Sequence, residues 1–93
     1  MWYVYIIEFL DNNNFYVGIT DNLDRRFNEH KNKKGGHYTS YHQVKRVAYS
    51  EVFENRLLAT KREKQLKGWS NAKKIALIQN NKNELKLLSK SRD

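Results

Sequence analysis

Five side chains in this sequence could do chemistry together: Tyr5 and Tyr16 in two short apolar stretches, Arg26 and His30 four positions apart just after them, and Glu63 alone in a later basic segment. A phenol can donate to a phosphate oxygen, hold a water or, if its pKa is lowered, take a proton from that water. A guanidinium can pair two phosphate oxygens and offset the negative charge that grows in a transition state. A histidine one turn further along can relay a proton or hold a tyrosine hydroxyl. A solitary carboxylate can be one protein ligand of a magnesium ion whose other positions are filled by water and phosphate. The set suggests metal-assisted cleavage of a phosphodiester.

Each residue also has an ordinary structural use. Two strand tyrosines can simply pack a core edge. An arginine can pack its stem and leave its head in water, a histidine can be satisfied in the core, and a glutamate in a basic helix can pair with a neighbouring Lys or Arg. Gly18 shifts the balance: it follows Tyr16 by two residues, on the same strand face, and a glycine inside a strand leaves room for close approach. Other chemistries lack their residues. There are no paired carboxylates, zinc-ligand spacing, phosphate-binding glycine loop or nucleophile-elbow serine, and His37 and His42 have no cysteine partners.

These side chains need elements to hold them. Trp2 to Leu10 and Phe15 to Thr20 are aromatic and β-branched, with the turn-forming Asp11, Asn12, Asn13 and Asn14 between them, and so predict a hairpin. Pairing odd with even positions puts Tyr5, Ile7 and Phe9 on one face with Tyr16, Gly18 and Thr20. Asp21 then caps a helix with Asp24 in its first turn, running to about Lys33. Its inward stripe is Leu23, Arg26, Phe27 and His30. Two of those positions are polar, which a purely structural helix rarely chooses, and Arg25 faces elsewhere. Val44 to Phe53 reads as a third strand. Asn55 caps a second helix closed by Gly68 as its C′ residue, with Glu63 beside the apolar Ala59 and Leu66. Ser70 opens a third helix from Asn71 to about Asn80, and Asn83 to Leu88 reads as a short fourth. The expected fold is α+β: a small three-stranded antiparallel sheet flanked by helices, in the order β-β-α-β-α-α.

The 93 residues fit a single domain over 1–93, with a core of about 2–80 and a C-terminal tail of 81–93. Eighteen Lys and Arg against ten Asp and Glu leave a net charge of +8 and a pI of about 9.8, which favours polyanionic partners. Lys31, Lys33, Lys34, His37 and Tyr38 lie in a basic, glycine-containing loop. Lys64, Lys67, Trp69, Lys73 and Lys74 form a second cluster. Cations interleaved with an aromatic suit a phosphate backbone and a stacked base; a helix anchor is the alternative use of Trp69. The chain has no cysteine, so disulfides and thiolate metal sites are excluded and a reducing compartment is tolerated. The expected location is the cytoplasm. The apolar start, Met1 to Ile7, lacks a basic leader and meets Glu8 at once, so it reads as a strand rather than a signal peptide. No apolar run approaches the roughly 18 residues of a membrane span.

Taken together, these residues resemble the GIY-YIG nuclease superfamily over roughly residues 2–80. The resemblance is closest to the branch of small stand-alone bacterial proteins, UPF0213-type and excinuclease C-subunit-like, that carry this domain and little else. The two eponymous tripeptides fall on Tyr3-Val4-Tyr5 and Tyr16-Val17-Gly18, with Tyr3 standing where the family name has Gly. The family's catalytic arginine falls on Arg26, its following His or Tyr on His30, and its metal-binding glutamate on Glu63. Asn71 is the candidate for a polar asparagine that some members carry further on. The resemblance implies a DNA endonuclease using one Mg²⁺ or Mn²⁺ ion held by Glu63 near the leaving 3′ oxygen. Arg26 would stabilise the developing charge, Tyr5 would position or deprotonate the attacking water with help from His30, and Tyr16 would orient the phosphate. Either tyrosine could be the base. Branched or damaged DNA, in repair or recombination, is the candidate substrate. The rivals are a non-catalytic nucleic-acid-binding module of the same fold, and a subunit that cuts only beside a protein partner supplying specificity.

Overall fold

The computed structural model describes residues 1–11, 13–32 and 42–80. The loop residues Lys33, Lys34, His37 and Tyr38, the expected fourth helix and the C-terminal tail lie outside the described residues. Strand β1 (Trp2–Phe9) and strand β2 (Phe15–Thr20) form the expected hairpin, and β3 (Val44–Phe53) pairs on the other side of β1. The sheet is antiparallel with order β2-β1-β3, so β1 is central. Helix α1 (Leu23–Lys31) follows the hairpin, and α2 (Arg56–Lys67) and α3 (Asn71–Ile78) follow β3. The α+β order β-β-α-β-α-α is the one the sequence predicts.

The register fixes which side chains share a face. Tyr3 pairs with Thr20, Tyr5 with Gly18 and Ile7 with Tyr16, an odd-with-even register that the sequence by itself leaves open. One face of β1 and β2 therefore carries Val4, Ile6 and Val17, which pack with Ala59 and Leu66 of α2. The opposite face carries Tyr5, Ile7 and Phe9, joined by Tyr16 and by Leu23 of α1. The sheet thus has α1 against one face and α2 with α3 against the other. Two register shifts in the β1–β3 ladder, after Ile6 and after Glu8, accommodate the longer third strand.

The helix starts are local chemistry, with one correction. The cap of α1 is Asn22, whose side chain accepts from the Arg25 amide, and not Asp21. Asp21 instead binds the Arg25 guanidinium at 2.8 Å, while Thr20 Oγ1 accepts from the Asn22 amide and so fixes Asn22 as the turning residue. The helix stops at Lys31, two residues short of the expected end. Asn55 and Ser70 cap α2 and α3 as predicted. Gly68 departs from expectation. It sits at φ −81° and donates to the carbonyls of Lys64 and Gln65, so the α2–α3 junction needs no left-handed residue. The left-handed position is Asn80, at φ 56° just past α3, where asparagine is tolerated.

Candidate active site

The hairpin and α1 bring Tyr5, Tyr16, Arg26 and His30 together. Tyr5 is central. It is 2% exposed, and its hydroxyl lies 2.9 Å from His30 Nε2 and 3.4 Å from Arg26 Nε. The Arg26 N–H can only donate, so the tyrosine oxygen accepts from it and gives its own proton to His30. This places the histidine's ring proton on Nδ1. The Tyr16 ring packs 5.0 Å from His30 and 6.4 Å from Tyr5, centroid to centroid. The helical stripe positions these groups as expected: His30 is fully buried and Arg26 half-buried, whereas Arg25 is exposed. Arg26 also binds Glu29 at 3.4 Å, an i,i+3 pair its spacing permits.

Gly18 shapes this site. A Cβ at Gly18 would lie 2.5 Å from the Tyr5 hydroxyl oxygen and 3.1 Å from the Tyr16 ring. The Tyr5 phenol therefore crosses from the central strand over β2, close to the free edge of the sheet. Only a residue without a side chain permits that crossing.

The electrostatics follow from burial. Desolvation pushes the Tyr5 phenol up to about 12, against the pull of the Arg26 hydrogen bond. Tyr5 is thus a neutral phenol at ordinary pH. Burial, with the Arg26 charge as a second cause, brings His30 down to about 4, leaving it a neutral proton acceptor. For Arg26, burial opposes the charge, but the Tyr5 hydroxyl and Glu29 more than offset it and its pKa is raised.

Glu63 reaches the same neighbourhood from α2. Its negative charge is one of the causes raising the Tyr5 pKa. The side chain is only 17% exposed, and it pairs with Lys67 at 3.4 Å. Its helix face is the buried one, between Ala59 and Leu66. Among the described residues no three of His, Cys, Asp and Glu come together as a metal cage. A single carboxylate fits a magnesium ion that takes its remaining oxygens from water and phosphate, and its own partner here is a displaceable lysine.

The other expected contacts are divided. Lys31, Lys64 and Lys67 are exposed. Trp69 is half-buried against the core, with the Arg62 guanidinium 5.2 Å and the Lys73 ammonium 4.3 Å from its ring centroid. It anchors α2 to α3. Lys73 and Lys74 are each 8% exposed. Asn71 donates to the Asn13 carbonyl at 3.3 Å and to Asn14 at 3.4 Å, tying α3 to the hairpin turn. One feature had no clear sequence signal. Glu51 of β3 takes both Arg62 Nε and Nη2, at 2.9 and 3.0 Å, and also accepts from Tyr49. The Tyr49–Glu51 spacing was visible on the strand, but not the arginine it would meet.

A hydrogen-bonded arginine, tyrosine and histidine thus sit on a β-hairpin and its following helix, with one carboxylate arriving from a later helix. The profile of the GIY-YIG catalytic domain matches residues 1–76. A UPF0213 protein of Staphylococcus saprophyticus is 33% identical over 76 residues, covering 82% of this chain and 92% of the relative. One from Clostridium perfringens is 37% identical over 78 residues, covering 84% and 83%. The solution NMR structure of a UPF0213 protein from Bacillus halodurans superposes with a TM-score of 0.51 at 30% identity, covering 87% of this chain and 86% of that one. The chain belongs to the GIY-YIG family of nucleases, and its relatives are UPF0213 proteins. Among the described residues no helix is long and apolar enough to cross a membrane.

Proposed function

We propose that this protein is a divalent-metal-dependent DNA endonuclease that hydrolyses phosphodiester bonds, with branched or damaged DNA in repair or recombination as its substrate class. The observation that carries this reading is the chain of hydrogen bonds from Arg26 through the Tyr5 hydroxyl to a neutral, buried His30. A phenol with a pKa of about 12 is a poor base by itself. It becomes useful as a relay. As a water attacks phosphorus, its proton passes to the Tyr5 oxygen while the Tyr5 proton passes to His30 Nε2. His30 can accept because burial keeps it unprotonated.

Arg26 would stabilise charge on the phosphorane-like transition state, a role supported by its hydrogen bond to the same oxygen. Tyr16, packed on His30, orients the phosphate. Glu63 would hold Mg²⁺ or Mn²⁺, which when bound supplies Lewis-acid stabilisation of the leaving 3′ oxygen. The net charge of +8 favours the polyanionic substrate, and the exposed Lys31, Lys64 and Lys67 supply cations for its backbone.

The test is magnesium-dependent nicking of supercoiled and branched DNA by pure protein, beside Glu63→Ala and Arg26→Ala. Cutting that disappears in both variants while DNA binding persists supports the nuclease reading. Salt-sensitive binding without cutting by the unmodified protein would sink it and leave a binding module, or a subunit that requires a partner.

A further inference from the structure

A cleft of about 360 Å³ opens where the free edge of β2 meets the α2–α3 junction, lined among others by Asn14, Tyr16, Lys67, Asn71 and Lys74. Three features separate it from an ordinary surface groove. None of the residues lining it is acidic. Lys74 is 8% exposed, yet no carboxylate or hydrogen-bond acceptor among the described residues partners its ammonium. That ammonium is not sealed, because no buried side-chain nitrogen or oxygen among the described residues lacks a partner. The aliphatic stem is therefore buried while the charged end keeps access to solvent, and Lys74 lines the cleft. A lysine held in this way presents a charge with no counter-ion among the described residues on a stem fixed by packing, so an anion entering the cleft meets a positioned cation. The same burial holds its pKa below the ordinary lysine value.

The cleft also shares its wall with the reacting site. Tyr16 lines it and packs on His30. Lys67 lines it and pairs with Glu63. As an edge strand, β2 leaves alternate backbone N–H groups without ladder partners. An anion here would sit one side chain away from the scissile group.

We infer that this cleft seats a second, non-reacting phosphodiester of the substrate strand, with Lys74 as its anchoring cation, Lys67 and Asn71 beside it, and Tyr16 as the partition from the reacting phosphate. The inference rests on the nuclease reading for the word substrate, but its chemistry, a phosphate on a half-enclosed lysine, stands apart from cleavage. Phosphate contacts of this kind set the register of a strand without reading its sequence. The cleft would thus fix which bond reaches Tyr5.

The test is binding of a labelled DNA duplex in EDTA over a range of salt concentrations, for the unmodified protein and Lys74→Met. Methionine keeps the packed stem and removes the charge. Lys74→Met is expected to weaken binding about 5- to 10-fold at low salt, and to lower the slope of log affinity against log salt by about 1, equally for unrelated sequences. A folded Lys74→Met with unchanged affinity and slope overturns the inference and leaves the nuclease reading intact. The loss of slope in a protein that never cuts DNA supports the phosphate seat and overturns the nuclease reading. Should Lys74→Met fail to fold, amide NMR shifts of the unmodified protein titrated with thymidine 3′,5′-bisphosphate decide. Shifts centred on Tyr16, Lys67, Asn71 and Lys74 support the seat; shifts elsewhere or none overturn it.

Discussion

The Tyr5 phenol occupies the space where a side chain on Gly18 would begin, its oxygen 2.5 Å from that Cβ position. The two residues face each other across the β1–β2 ladder, so the glycine sets how far the phenol reaches toward the sheet edge. Gly18→Ala must push Tyr5 away from His30 and Arg26, because the ring is buried and has no free space beside it. The expected cost is about 1–3 kcal/mol of stability, with a fall in cutting on the order of 10²-fold from misplacement. Urea unfolding and single-turnover cleavage measure the two. A variant unchanged in both would mean the phenol does not need that crossing.

His30 makes folding pH-dependent in a definite direction. Its folded pKa of about 4 lies below the ordinary 6.5, so between those values the unfolded chain binds the extra proton. Stability from this group is therefore complete above about pH 6.5 and is lost as pH falls toward 4, by up to about 3 kcal/mol. Urea midpoints of the unmodified chain and His30→Gln at neutral and mildly acid pH isolate it. The difference between the two proteins should shrink on acidification; a constant difference refutes the assignment.

Neighbouring arginines on α1 should behave oppositely. Arg25 is exposed and bound to Asp21, so Arg25→Ala is expected to change cutting by about twofold or less. Arg26 donates to Tyr5 from the half-buried face, and Arg26→Ala should lower the rate by about 10²- to 10³-fold. Equal losses would point to general electrostatic attraction of DNA rather than a positioned guanidinium.

The Glu51–Arg62 fork holds α2 against β3 one residue before Glu63. Its two ends are each 23% exposed, so solvent screening limits its value. Glu51→Gln is expected to cost about 1–2 kcal/mol and to raise the metal concentration needed for half-maximal cutting, since α2 carries Glu63. Trp69, stacked under Arg62, reports the local change by fluorescence. A stability loss with no change in metal requirement would restrict the fork to a structural role.

Local periodicity carried much of the site. The alternation of Phe15–Thr20 was enough to put Tyr16 and Gly18 on one strand face, and the i, i+3, i+4, i+7 stripe was enough to point Arg26 and His30 inward, because both depend only on the repeat of the backbone dihedrals. That Tyr5 shares the face of Tyr16 and Gly18 depends on the strand register, which only the structure fixes. The caps at Asn55 and Ser70 are likewise set by neighbouring residues. The choice between Asp21 and Asn22 was not legible, since both are capping types and a side-chain contact from Thr20 selects one. Nor was the fate of the basic cluster. Lys73 and Lys74 read as surface cations, and only the packing of α3 on the sheet turns one against Trp69 and places the other in the lining of a cleft. Spacing along the chain determines which face a residue takes; which distant face it then meets, and whether water remains between them, is decided by how the elements close on one another.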